Sequence, residues 1–279
     1  MLALRFSQVD VFGASPFGGN PVAVVHEADR LSTGEMAAIA RWTNLSETTF
    51  LLAPEHEEAD YRVRIFTPAG ELPFAGHPTL GSAHAWLDSG GRPNDPEVLV
   101  QECPAGLIPV RRADADRLAF AAPPLLRTGP VDAATLTRAV HAIGAAHDLV
   151  AGSRWADNGP GWLVLEITTP EALAALTPHP DRLEELAIGT FALTPGTPHL
   201  YEVRAFMDGI VGCEDPVTGS LNAGIAQELR REGRVPERYT VRQGTALGRD
   251  GIVSIEDDGR AIWVGGATTT LVSGSLTTR

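Results

Sequence analysis

The feature that most restricts the fold is an internal repeat. "TFLLAP" at 49–54 returns as "TFALTP" at 190–195, an offset of 141, and "RIF" at 64–66 returns as "RAF" at 204–206, an offset of 140. In "GHPTLGSA", residues Gly76, Gly81 and Ala83 are matched by Gly219, Gly224 and Ala226 of "GSLNAGIA", each at an offset of 143. Short apolar strings match by chance, but three matches in order at nearly one spacing point to a duplication. Two similar lobes of ordinary domain size account for the 279 residues. If they face each other, they enclose a cleft.

Hydrophobic periodicity gives the elements of each lobe. Strands are expected at 2–12, 20–26, 48–53 and 60–66, with a helix at 33–42 opened by Ser32 or Thr33 and supported by Glu35. After a helix over 77–88, short strands follow at 97–102, 107–112 and 117–121. The stretch "AAPPLLRTGPVD" reads as a linker, so the lobes are expected at 1–124 and 125–279. Beyond it come helices at 132–142, 170–176, 180–187 and 219–232, and strands at 162–167, 189–194, 199–206, 238–243, 252–256 and 261–272. Strands outnumber helices and are joined mostly by turns, so the class is α+β with mixed or antiparallel sheet.

Composition excludes several function classes. A net charge of -13 without any basic run disfavours nucleic acid and anionic membranes as partners. No leader-like segment or long apolar stretch is visible, so a cytoplasmic protein is expected. Cys103 and Cys213 form no CxxC, and no His/Cys spacing matches a zinc site. Phosphate loops, dinucleotide fingerprints and nucleophile elbows are also missing. Neither cofactor nor metal is expected.

What remains concentrates at two helix starts. A glycine there lets a ligand approach the backbone, and the unpaired N–H groups of a first helical turn bind carboxylates or phosphates. Gly76-His77 and Gly219-Ser220 are the candidates, one pair per lobe. Gly81, Ala83, Gly224 and Ala226 read more simply as close-packing positions. His77 titrates near neutrality and suits proton transfer, although a lone histidine also serves as a cap or surface residue. Glu47 in "NLSETTF" and Asp215 in "CEDPVTGS" are the competing carboxylates; their plain readings are a solvated strand start and a turn or capping residue. Cys103, before a proline, reads as structural.

Taken together, "VDVFGASPFGGNPVAVV", "NLSETTF", "RIFTPAGELPFAGHPTLGSAHAWL", "EDPVTGSLNAGIAQEL" and "VRQGTALGRDGIVSI" resemble the PhzF-like isomerases of phenazine biosynthesis almost end to end. The resemblance implies a diaminopimelate-epimerase-like fold, two lobes each with a mixed sheet or barrel around a central helix. It allows the last strand to return to the first lobe, and relatives suggest a homodimer. It places the general acid/base on Glu47 and its partner residues on His77 and Asp215, with Gly76, Gly219 and Ser220 as anchors for a substrate carboxylate. Related racemases carry paired thiols where this chain has Ala75 and Thr218, and Cys213 lies six residues before Gly219. That departure favours a cofactor-independent isomerase moving a proton between carbons of a small carboxylate. Screened from water, one carboxylate can then serve as base and acid. A carboxylate-based racemase, or a scaffold that binds a small anion or a protein without catalysis, are the alternatives. The specificity loops "GASPFGG" and "SRWADNGPGW" include Trp155, Asn158 and Trp162, which read equally as packing residues.

Overall fold

The computed structural model describes residues 2–113 and 117–278. The chain forms two compact units, Met1–Ala121 with Gly265–Arg279, and Ala122–Val264. The boundary falls in the proline-rich stretch, and the end of the chain belongs with the first unit.

In the first unit the strands are β1 (Leu2–Val11), β2 (Asn20–Val25), β3 (Glu47–Leu52), β4 (Tyr61–Phe66), the two-residue β5 (Glu71–Leu72), β6 (Val98–Cys103), β7 (Gly106–Arg112) and β8 (Arg117–Ala121). A long final strand, here β17 (Ile262–Thr278), completes it. Pairings run β1–β2 antiparallel, β2–β3 parallel, β3–β4 antiparallel, β4–β6 parallel, then β6–β7 and β7–β8 antiparallel. Because β17 pairs with both β8 and β1, these eight strands close on themselves. Closure removes the sheet edges that would otherwise invite association.

The helix inside this ring, α2 (Gly76–Asp88), packs against β1, β2, β3, β6 and β8. Every residue from Gly76 to Ala83 is buried, a helix covered all round rather than an amphipathic one. Small residues permit that: a Cβ on Gly81 would lie 2.3 Å from Val22 Cγ1. On the outside, α1 (Thr33–Thr43) starts with a capping box between Ser32 and Glu35 and lays Met36 and Ala40 beside Phe50 and Phe66. Met36, Phe50 and Phe66 each contribute about 1.5–3 kcal/mol when fully buried, and the Ala40 methyl less.

The second unit repeats the scheme with β9 (Arg127–Gly129), β10 (Val150–Asp157), β11 (Trp162–Ile167), β12 (Ala187–Leu193), β13 (Tyr201–Phe206), β14 (Glu214–Asp215), β15 (Arg238–Gln243) and β16 (Gly251–Asp257). From β10 onward its pairings are again antiparallel, parallel, antiparallel, parallel, antiparallel. Its buried helix α6 (Gly219–Arg231) has the same 13-residue length as α2 and packs on β10, β11 and β16. On Gly224 a Cβ would sit 2.4 Å from the Ala156 carbonyl oxygen. The flanking helices are α3 (Ala133–Ala142), α4 (Pro170–Ala174) and α5 (Pro180–Leu183). The helix expected to run to 187 stops early because Glu184 leaves helical geometry, with φ 51 and ψ -122.

The repeated Arg-x-Phe strings prove to be one device used twice. Arg64 on β4 grips Glu71 on β5 through two nitrogens, at 2.7 and 2.6 Å, and Arg204 on β13 grips Glu214 on β14 at 2.9 and 2.8 Å. Each guanidinium also lies over the phenylalanine two residues on, 5.1 Å from the Phe66 ring and 5.0 Å from Phe206. The clamp fixes the short strand that leads into each buried helix. Among the described residues, no helix is long and apolar enough to cross a membrane.

Candidate active site

Of the helices with five or more residues, α1, α3 and α4 each start with a side-chain cap, from Ser32, Asp132 and Thr169. The two buried helices have none: Ala75 and Thr218 occupy their N-cap positions without capping. A helix start buried without a cap leaves N–H groups facing inward with the positive end of the helix dipole. Gly76 and Gly219 are the first residues of these helices, so both sequence-derived anchors stand at bare, buried starts.

In the first unit, Glu47 opens β3 and His77 is the second residue of α2. Glu47 is not a solvated strand-start charge: its side chain is 13% exposed and Oε2 lies 3.3 Å from His77 Nε2. The imidazole is buried, and burial pushes its pKa down to about 3, so it is neutral at physiological pH. Asn20, at the start of β2, places Nδ2 3.2 Å from His77 Nδ1. An amide N–H₂ only donates, so Nδ1 accepts and the ring's single hydrogen resides on Nε2, toward Glu47. The asparagine thereby selects the tautomer. Below it, the buried Asp10 carboxylate accepts from Gly19 N at 3.0 Å and holds the loop that ends at Asn20.

In the second unit, Asp215 lies on β14, buried, and its Oδ2 accepts from Thr218 Oγ1 at 2.6 Å. Gln243 braces the same turn: Nε2 donates to Thr218 Oγ1 at 2.9 Å and to the Asp215 carbonyl at 3.1 Å, while Oε1 accepts from Thr218 N at 3.0 Å. Asp215 thus accepts a hydrogen bond within the turn that leads into α6, as its plain reading as a turn residue also expects. Ser220, the second residue of α6, accepts at Oγ from Trp162 Nε1 at 3.0 Å, and its carbonyl accepts from Asn158 Nδ2 at 2.9 Å.

Sequence reasoning thus placed Glu47, Gly76 and His77 in one unit, where they adjoin, and Asp215, Gly219 and Ser220 in the other. It did not assign Asn20, Asp10, Thr218 or Gln243. The repeat carried a usable signal for one of these, since Asn20, the first residue of β2, and Asn158, directly after β10, both flank the connection between antiparallel strands and both donate to the second residue of the buried helix. The thiols supply no base: burial raises the pKa of both Cys103 and Cys213. Among the described residues, no group of three or more His, Cys, Asp or Glu side chains is arranged to hold a metal ion.

The model of the phenazine biosynthesis-like family, PhzC-PhzF, matches residues 9–274. The chain belongs to this family. Among its PhzC-PhzF relatives, the trans-2,3-dihydro-3-hydroxyanthranilate isomerase of Pseudomonas aeruginosa is 34% identical over 256 residues, covering 88% of this chain and 87% of that protein. Antisense-enhancing sequence 1 of Schizosaccharomyces pombe is 35% identical, with coverage of 96% and 97%. A solved Pseudomonas aeruginosa structure, titled a predicted epimerase, superposes with a TM-score of 0.83 at 26% identity, covering 99% of this chain and all of that one. The fold is that of the PhzC-PhzF family, α+β, and the protein is an isomerase.

Proposed function

We propose that this isomerase moves a hydrogen between two carbons of a small cyclic or diene carboxylate, without a cofactor, using Glu47 as base and then as acid. The observation that carries the reading is the pair of bare, buried helix starts, with a carboxylate and a neutral imidazole beside the first. In this reading the bare N–H groups of a buried helix start meet a substrate oxygen and stabilise the negative charge that develops as a carbon loses its hydrogen, the role that the resemblance gives to Gly76, Gly219 and Ser220. Glu47 accepts that hydrogen and returns it to a second carbon on the same face. His77, neutral and carrying its hydrogen on Nε2, donates toward Glu47 or the substrate. Asp215 accepts from a polar substituent. The absence of thiols at Ala75 and Thr218 weighs against a two-thiol racemase.

The family relative supplies the probe: trans-2,3-dihydro-3-hydroxyanthranilate, followed by proton NMR in deuterated buffer. The proposal expects the carbon-bound hydrogen signals to move as the double bonds shift, with solvent deuterium entering the carbon that receives the hydrogen. Lost optical rotation with unshifted double bonds would mean racemisation instead. An unchanged spectrum would leave a binding scaffold.

A further inference from the structure

Ser220 uses only part of its hydrogen-bonding capacity. A hydroxyl offers one hydrogen and two lone pairs. Trp162 Nε1 can only donate, so at 3.0 Å it occupies a lone pair of Ser220 Oγ. No described residue accepts the hydroxyl hydrogen, although Ser220 is 4% exposed. Serine and threonine within helices commonly turn that hydrogen back onto the preceding turn, and Thr79 of α2 does so, donating to the Ala75 carbonyl at 2.9 Å. Ser220 does not. Its residue is further fixed by Asn158, which is 4% exposed and donates to the Ser220 carbonyl. A buried hydroxyl with that hydrogen unspent stands beside the uncapped N–H groups of α6, where an acceptor from outside the chain can take it.

We infer that Trp162 is a positioning residue that makes Ser220 a dedicated donor to an anionic oxygen of the substrate. The inference rests on the proposed reading of Ser220 as a carboxylate anchor. With the indole N–H on one lone pair, the hydroxyl hydrogen is turned into the remaining directions, and the serine enters binding already oriented. Less rotational freedom is then lost when the ligand arrives. Trp162, 1% exposed, is itself held rigidly at the start of β11. The first unit builds its counterpart differently, with a histidine at the second helix position and an asparagine setting its tautomer. One unit presents a proton-handling ring and the other a fixed donor.

The test is a double-mutant cycle on anthranilate affinity, measured by titration calorimetry with the full chain. S220A is expected to weaken binding about tenfold, the size of one hydrogen bond to a charged group. Trp162→Phe, which keeps a ring and removes the N–H, is expected to weaken it about three- to tenfold. The double variant should bind no worse than S220A, because the indole acts through the hydroxyl. A Trp162 that merely supports the fold would weaken binding just as much in the S220A background, which overturns the inference. So does unaltered affinity in Trp162→Phe. If S220A binds as tightly as the parent, or the parent itself fails to bind anthranilate, the anchor reading falls and this inference with it. Should Trp162→Phe melt early, benzothienylalanine at position 162 keeps the bicyclic shape without the N–H, and the same cycle applies.

Discussion

Burial decides what His77 contributes to acid–base behaviour. Its pKa in the folded chain, about 3, lies below the ordinary 6.5 because the ring is taken out of water. Between those values the unfolded chain binds a proton that the folded chain refuses. The stability held by the neutral ring is therefore complete above about pH 6.5 and is lost as pH falls toward 3. His26, lowered to about 4 by burial and then by Arg5, adds to the same slope. Replacing His77 by Asn should flatten the decline in unfolding free energy between pH 6.5 and pH 4, measured by urea titrations at a series of pH values. His26 is common to both chains, so the difference isolates His77. Identical slopes would place a charged ring in the folded state. A neutral His77 also predicts that the pH profile of kcat/KM has no limb near 6.5 from this residue.

At the scale of elements, the two Arg–Glu clamps share geometry and differ in burial. The Arg64 and Glu71 side chains are 24% and 30% exposed, those of Arg204 and Glu214 only 7% and 6%. Arg204 Nη1 also closes the carbonyls of Leu173 and Leu176 at 3.0 and 2.8 Å. Arg204→Met strands a buried carboxylate and should cost about 3–5 kcal/mol; Arg64→Met, screened by solvent, should cost less than about 1 kcal/mol. Chemical denaturation of the two variants measures the contrast, and equal losses would refute it. These clamps also show where the sequence was readable. The strings around Arg64 and Arg204 marked corresponding strands at their correct spacing, yet nothing in "RIF" or "RAF" announces the glutamate each will grip, because β5 and β14 are too short to show periodicity. The strand β10 went unread because Ala151, Gly152 and Arg154 interrupt its alternation. Asn20 and Asn158 went unassigned as partners of His77 and Ser220 because asparagine in a Gly/Pro-rich turn is ordinary turn chemistry.

For the molecule as a whole, the repeat was visible in three short matches, while the path of the last strand follows from closure. The ring of the first unit needs β17 between β8 and β1, so a chain ending at Val264 would leave two open edges. A 1–264 truncation is expected to aggregate on size exclusion, whereas residues 122–264 alone should melt cooperatively; a monomeric, well-folded 1–264 would contradict the closed ring. Function rests on a narrower claim, that a single enclosed carboxylate carries the hydrogen. The most direct measurement is the turnover of trans-2,3-dihydro-3-hydroxyanthranilate by Glu47→Gln, followed by NMR alongside the affinity for anthranilate. The account predicts turnover lowered by about 10²–10⁴-fold or more, the scale of a general acid–base group, with affinity within about threefold of the parent. Turnover that survives the substitution unchanged would contradict it.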